Sequence, residues 1–443
     1  MANYKYPDKV PFLKFLVHAS DIARNPIPFH TKIFREYGDT ISLRRFYTPP
    51  VILTRDPAVV RHVLQKNHRS YKKSKLQTEF LSRYIGHGLL TSTGDYWLRQ
   101  RRLIQPGFHK DRIRELVDTI NRTIDEQVRS FRTGTFVELY PLMNRLAFEV
   151  VSKSLFNYAA SPEILKRLQV IIEDLQKFTV KEMRQPLKRL WFNIRGEVKE
   201  HLKLAEEGRE IINTIIEARK VSGKEHGDLL DMFLHSEYDD GTKMTNDQLI
   251  DEILILFVAG HETTASALTF TLFLLANHPE ELERARAESL RLKNSEEALE
   301  ALGKMEHITC CIEESMRLYP PVWVMDRISL EDDTVEKYAV KKGTLFGISV
   351  YEMHRNPEYW EDPETFNPGR FSENGNKRNE AYMPFGAGPR LCIGNNFAMY
   401  EMMLAVNTII NTFDIETNKA EVEINPLITL KPVDVELRLT RRV

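Results

Sequence analysis

Near one end of a 443-residue chain, Phe385-Gly386-Ala387-Gly388-Pro389-Arg390-Leu391-Cys392-Ile393-Gly394 sets a single cysteine among three glycines. The residues that follow, Asn395 to Leu404, carry apolar side chains at helical spacing, so the sulfur of Cys392 is expected at a helix N-terminus. The partial positive charge and free N–H groups there lower a thiol's pKa and leave a thiolate ready to bind a metal. A closed zinc or iron–sulfur centre would need further Cys or His at short spacing, and none stands nearby. Glycines let backbone come close to something flat and bulky, because no Cβ intervenes. The spelling Phe-x-x-Gly-x-Arg-x-Cys-x-Gly therefore points to a haem held by one thiolate. The structural alternative is a tight turn beside a buried thiol.

Three further groups could do or support chemistry. Ala259-Gly260-His261-Glu262-Thr263-Thr264 puts an acid and two hydroxyls in the middle of the longest helical pattern, where small and polar residues have poor propensity. Two readings fit: a local widening where water or a ligand enters, or a satisfied buried polar cluster. Glu314 and Arg317 stand at i,i+3 among the apolar residues Cys310, Ile312, Met316 and Leu318, which predicts a buried pair. Arg370, in Phe366-Asn367-Pro368-Gly369-Arg370-Phe371, is placed to complete it. Trp97 and Arg101 lie one turn apart, so that an indole N–H and a guanidinium could grip one carboxylate; a basic surface helix is the plain alternative.

These groups need elements to hold them. Thr245 and Gln248 have capping-box spacing and announce a helix running to about Asn277, before Pro279, which at 1.5 Å per residue is roughly 50 Å long. His307 to Tyr319 reads as a helix closed by Pro320-Pro321, and Gly94 begins the helix of Trp97. Lys110 to Lys220 is helical in pattern, with breaks at Gly134, Ser161-Pro162, Pro186 and Gly196. Thr40 to Leu43 and Pro50 to Thr54 predict a hairpin through Tyr47-Thr48-Pro49. Val324 to Leu330, Thr334 to Val340, Leu345 to Tyr351 and Asp414 to Leu439 read as strands, and Ser70 to Leu90 as a long irregular connection over a site. The expected fold is mainly α with a smaller β-rich lobe from about 38–55, 322–352 and 414–443, in a single domain covering 1–443.

Composition bounds the function. Apolar content of 42% with 28% charged residues is ordinary for a soluble globular protein, and a net charge of −1 argues against a general nucleic-acid binder. Cys310, Cys311 and Cys392 form no disulfide framework, which fits a reducing compartment and predicts a cytoplasmic protein. Met1 to Lys14 lacks an apolar leader. The apolar stretches flanking His261-Glu262 are each too short to cross a bilayer, so no transmembrane anchor is expected.

Four separated stretches, together spanning the chain, resemble the cytochrome P450 family of haem–thiolate monooxygenases, in its soluble bacterial form. The cysteine loop is similar to the family's haem-binding signature, with Phe385, Gly388, Arg390, Cys392 and Gly394 at the matching places. Glu314-Ser315-Met316-Arg317 resembles its Glu-x-x-Arg helix, with Arg370 as the joining arginine in a structural role. Ala259 to Thr264 resembles its oxygen-activating motif, and Trp97 and Arg101 its early propionate-holding helix. Arg327 sits where the family places another propionate partner.

The resemblance implies heme b bound by the Cys392 thiolate, proton relay by Glu262 and Thr263, and propionates neutralised by Trp97, Arg101, Arg327 and Arg390. Phe385 and Gly394 would shape the cofactor loop. It implies insertion of one oxygen atom of O2 into a C–H bond of a small organic substrate, by hydroxylation or oxidative O-demethylation. With no Gly-x-Gly-x-x-Gly fingerprint in the chain, NAD(P)H would act only indirectly, through a ferredoxin or flavodoxin with its reductase. Arg99, Arg102, Lys110 and Arg112, with Lys341-Lys342 and Lys377-Arg378, could form a basic docking face or be merely solvated. Tyr84, His87, Phe257, Ala259, Val322 and Trp323 are the expected substrate residues. A peroxide-dependent peroxygenase and a non-catalytic haem–thiolate sensor are the alternatives, and the Glu262-Thr263 pair counts against both.

Overall fold

The computed structural model describes residues 5–43, 51–157, 161–185, 188–292, 300, 302–372 and 379–442. It falls into two compact units: Met1–Lys75 with Glu314–Cys392 and Ile424–Lys431, and Leu76–Glu313 with Ile393–Glu423 and Pro432–Val443.

The first unit is built on a six-stranded mixed sheet in the order Asp8–Lys9, Thr40–Leu43, Val51–Thr54, Leu345–Ser349, Val324–Ser329, Tyr71–Lys72. The predicted hairpin forms with Ile41 opposite Leu53; its turn at Tyr47-Thr48-Pro49 lies outside the described residues. Helix Ile27–Tyr37 lays Phe29, Ile33 and Phe34 on this sheet against Val10, Ile41 and Leu53, and ends at Gly38, whose φ of +91° favours glycine. Ser70 to Leu90 is more regular than its composition suggested. It holds the strand Tyr71–Lys72 and helical turns at Leu76–Leu81 and Ser82–Ile85, because Leu81, Tyr84 and Ile85 fall on one buried helical face.

The second unit is helical. Its axis is Asn246–Asn277, whose capping box is made as the spacing predicted: the Gln248 N–H donates to Thr245 Oγ1 at 3.2 Å and the Thr245 N–H to Gln248 Oε1 at 2.9 Å. Leu139–Phe156 and Asn395–Thr412 pack against this helix, and Lys110–Arg129 packs against both of them. By length and composition the axial helix could cross a membrane, but 78% of its apolar window is buried by the protein, which marks a core helix. The strands expected over 414–443 divide. Glu436–Arg441 pairs antiparallel with Phe413–Glu416 on one side and with Phe136–Glu138 on the other, in a separate three-stranded sheet of this unit. Three residues after Gly134 were too few to read as a strand.

The Glu314–Arg317 pair is fully buried, as its apolar neighbours predicted. Arg317 donates from Nε and Nη2 to the Glu314 carboxylate at 2.7 and 2.8 Å. Its remaining donors go to the carbonyls of His354, Pro363 and Thr365 at 2.9, 2.7 and 3.1 Å. Arg370 Nε at 3.3 Å and the Asn367 N–H at 2.9 Å complete the shell around Glu314 Oε1. Glu314→Ala should therefore strand a buried guanidinium and cost about 3–5 kcal/mol in denaturant unfolding. Glu115→Ala, which breaks the exposed Arg112–Glu115 pair, should cost under about 1 kcal/mol.

Candidate functional site

The cysteine loop folds back on itself. The Cys392 N–H donates to the Phe385 carbonyl at 3.0 Å, and the Leu391 N–H closes a tight helical turn, Gly388–Arg390, on the Gly388 carbonyl at 3.0 Å. Gly388 has φ +70°, and a Cβ there would overlap the carbonyl oxygen of Leu64, so the loop lies directly on the backbone of the turn His62–Lys66. Of the three cysteines, Cys310 and Cys311 are buried and Cys392 is exposed. Burial pushes the Cys311 thiol well up, which leaves Cys392 as the thiol that a metal can reach. Arg390 is half-buried in the same loop. Arg327 is buried on strand Val324–Ser329; loss of hydration is the main influence on its guanidinium, and the Asp326 charge offsets it in part. A flat group with a metal at its centre and anionic substituents suits this set: an accessible thiol, a backbone surface without Cβ, and two guanidinium groups, one of them lodged away from water.

In the second unit, Trp97 is buried and Arg101 half-buried on one face of helix Gly94–Ile104, with Arg101 Nε on Gln105 Oε1 at 3.2 Å. The axial helix runs as unbroken α-helix through Ala259–Thr264, so of the two readings the local widening is not seen. The side chains keep it closed. Thr263 Oγ1 donates to the Ala259 carbonyl at 2.7 Å, and His261 Nδ1 lies 2.5 Å from the Phe257 carbonyl. A Cβ on Gly260 would stand 3.1 Å from Val151, so this glycine brings helix Leu139–Phe156 close. Between Glu252 and Leu275 the helix is buried except for one open stripe: Leu256, Ala259, Gly260 and Thr263, at i, i+3, i+4 and i+7. Glu262, 3% exposed, turns inward near Tyr140, whose hydroxyl is pushed up by burial and by the Glu262 charge.

The expected substrate residues do not form one group. Ala259 is on the open stripe. Phe257, one position from Leu256 and so about 100° around the helix, is core: its ring packs at 5.4 Å on Phe148 and 5.5 Å on Phe156. Tyr84 is buried, with its hydroxyl donating to Glu182 at 2.8 Å. Trp323 is buried and donates from Nε1 to the Leu427 carbonyl at 3.0 Å, while Val322 beside it is half-buried. Tyr84, Phe257 and Trp323 are thus held by structural partners. His87 is exposed, with its ring 4.9 Å from that of Tyr96.

A family model described as Cytochrome P450 matches residues 5–438. The chain belongs to the cytochrome P450 family. It is 27% identical to Protein LUTEIN DEFICIENT 5, chloroplastic, of Arabidopsis thaliana, over 94% of this chain and 73% of that one. It is 28% identical to Cytochrome P450 4A7 of Oryctolagus cuniculus over 87% and 80%. Identity is 29% to the 11-oxo-beta-amyrin 30-oxidase of Glycyrrhiza uralensis, over 87% and 77%. Its fold matches the crystal structure of the cytochrome P450DA heme domain with a TM-score of 0.86, at 21% identity over 99% of this chain and 98% of that one. The protein is therefore a haem–thiolate monooxygenase. It uses heme b bound through a cysteine thiolate, and redox partners bring it electrons from NAD(P)H.

In this P450 the structure adds a clamp that the sequence reading missed. Asp251 and Glu252, neighbours on the axial helix, hold the loop after Ile85: the His87 N–H donates to Asp251 Oδ2 at 2.8 Å and the Leu89 N–H to Glu252 Oε2 at 3.0 Å. Cβ atoms on Gly86 or Gly88 would collide with these carboxylates, so two glycines at a spacing of two, facing an acidic pair, were the available signal. Asp251 is also paired with Arg209. Burial pushes Glu252 up to about 8, the Leu89 N–H opposing and the Asp251 charge adding to the shift. The unfolded chain releases that proton near about pH 4.3, so between these values the folded state binds the extra proton and stability falls as pH rises. Glu252→Gln should remove this slope. Denaturant unfolding at about pH 5 and about pH 8 should show the variant gaining a few kcal/mol on wild type at the higher pH.

Proposed function

We propose that this P450 inserts one atom of O2 into a C–H bond of a small, largely apolar organic substrate, by hydroxylation or oxidative O-demethylation. A ferredoxin or flavodoxin with its reductase supplies the electrons. The reading rests above all on the loop 385–394, which is pressed onto backbone at Gly388 and presents the exposed thiol of Cys392. Cys392 supplies the thiolate to the haem iron, and Phe385 and Gly394 bound the loop that carries it. Trp97, Arg101, Arg327 and Arg390 would neutralise the haem carboxylates. When bound, the haem supplies activation of O2 for attack on an unactivated C–H bond.

The chain's own groups then handle protons and substrate. Thr263 engages its hydroxyl proton on the Ala259 carbonyl, and its oxygen keeps acceptor capacity on the open stripe, where it orders water. Glu262, adjacent and buried, resupplies protons from the inner side. The apolar stripe of Leu256, Ala259 and Gly260 supports an apolar substrate, as does similarity to a relative named for oxidation of 11-oxo-beta-amyrin. A single family match over 5–438 supports one haem–thiolate domain, and three cysteines outside any disulfide support a reducing compartment such as the cytoplasm. The basic docking face is weaker than its sequence suggested. Arg99, Arg102 and Arg112 each pair with a carboxylate, of Asp240, Asp239 and Glu115, and Lys377-Arg378 lies outside the described residues.

Two measurements test this reading. The reduced CO complex should absorb at the long-wavelength position of a thiolate ligand, and Cys392→His should lose that band; a band that persists would reject Cys392. Thr263→Ala should keep haem, the CO band and substrate-induced spectral shifts, while product formed per reducing equivalent falls about tenfold or more and hydrogen peroxide rises. An unchanged coupling ratio would leave Thr263 a structural residue.

A further inference from the structure

The turn His62–Lys66, on which the cysteine loop rests, is closed as a π turn: the Asn67 N–H donates to the His62 carbonyl, five residues back, at 2.9 Å. Turns this wide are rare and gather at functional sites. One carboxylate clasps both ends. His62 Nε2 lies 2.8 Å and Asn67 Nδ2 3.0 Å from the same oxygen, Oδ2 of Asp333, the first residue of the strand Asp333–Val335. The Tyr71 hydroxyl donates to that oxygen at 2.5 Å, and the Thr334 N–H donates to Oδ1 at 2.7 Å. Burial raises the Asp333 carboxyl, but these four donors outweigh it and hold the group below its ordinary range. A carboxylate only accepts, so His62 carries its proton on Nε2.

The clasp reaches the thiol through backbone. Val63 and Leu64, between the clasped ends, are buried and anchor the turn from inside. A Cβ on Gly388 would stand 2.0 Å from the Leu64 carbonyl oxygen and 3.0 Å from its carbon, so the cysteine loop is fitted to this turn backbone against backbone. The Gly388 carbonyl in turn accepts the Leu391 N–H at 3.0 Å, and Cys392 is the next residue. With its ends released, the turn is free to tighten to the width of an ordinary α-helix, which carries the Leu64 carbonyl away from Gly388. The short turn Gly388–Arg390 then loses its floor.

We propose that Asp333 is a positioning residue for the haem thiolate: by clasping His62 and Asn67 it fixes the turn beneath the cysteine loop, and with it the direction of the Cys392 sulfur. The proposal rests on the reading that Cys392, in the same unit, holds the haem iron. Asp333 acts through the turn and not by contact with the cofactor. It falls outside every motif read from the sequence, and 271 residues separate it from His62, so no spacing announces the pair. What a carboxylate supplies here is an acceptor strong enough to hold three side-chain donors on one oxygen.

The test uses the holoenzyme and two spectroscopic readings: the ferric iron–sulfur stretching band in resonance Raman spectra, and the rate at which the reduced CO complex loses its thiolate band in mild denaturant. Asp333→Asn keeps the shape, but an amide has one accepting oxygen and cannot serve Thr334 on one side and three donors on the other. Its iron–sulfur band should shift and broaden, and the thiolate band should be lost at least about tenfold faster. His62→Phe keeps a ring against Tyr71 and loses the donor, so it should move both readings in the same direction. His62→Gln, whose amide nitrogen replaces Nε2, should restore them. Tyr71→Phe takes a donor from Asp333 but frees neither end of the turn; it should weaken the fold in denaturant unfolding and leave the iron–sulfur band in place. An Asp333 with a merely structural role would behave in the same way. An unmoved iron–sulfur band and wild-type loss of the thiolate band in Asp333→Asn overturn the proposal. Should that variant fail to fold, the same result in His62→Phe overturns it. Absence of the thiolate band in the wild-type protein is a separate failure, which removes the Cys392 reading beneath it.

Discussion

A guanidinium with no exposure to water must find a partner for every N–H, and Arg317 shows how much chain that demand organises. Its five donors take both oxygens of Glu314 and the carbonyls of His354, Pro363 and Thr365, and its cation lies 5.2 Å from the ring of Trp360. Forty-odd residues of proline-rich, irregular chain would otherwise have little reason to adopt one path. The path then reaches the cysteine loop through His354, whose Nε2 accepts the Met383 N–H at 2.9 Å. Burial, with the Arg317 charge next, brings His354 down to about 3, so the imidazole stays neutral and keeps that nitrogen an acceptor. Met383 in turn accepts the Gly386 N–H at 3.1 Å, at the start of the loop. The geometry of Cys392 is set by a chain of hydrogen bonds that begins at a buried ion pair.

The helical unit solves a different problem, that of carrying polar groups through an apolar core. His261 and Thr263 bond back to carbonyls one turn earlier, which satisfies them without breaking the helix. Glu252 stays uncharged near neutral pH because it is buried. What distinguishes the stretch around Ala259 is therefore which face of a regular helix is left uncovered. The acid and the hydroxyl of Glu262-Thr263 lie on different faces, one inward and one open.

Short linear spacings were legible in the sequence because one element realises each of them. The capping box at Thr245, the i,i+3 pair at Glu314, the glycine-cysteine loop and the long axial helix are decided within a few residues of chain. Hydrophobic periodicity likewise located the strands Thr40–Leu43 and Val324–Ser329 and the helix Glu306–Leu318 within a residue or two, while the helices Leu229–His235 and Pro279–Leu292 went unread. It failed where the deciding partner is distant. Phe136–Glu138 is a strand only because Glu436–Arg441 lies beside it, and the order in Ser70–Leu90 depends on packing that composition does not report.

By itself, the sequence determined the family and the buried Glu314–Arg317 pair. Each is written in residue types at short spacing, and local geometry leaves those residues little choice. Which side chains face outward was decided only by the tertiary structure. Phe257 and Leu256 are equivalent by composition, and 100° of helix rotation sends one into the core with Phe148 while the other meets the open stripe. Lys72 and Lys73 are identical in type, and strand alternation buries one beside Arg327 and exposes the other. A side chain's direction depends on what packs against its backbone, and that partner lies far away in the chain.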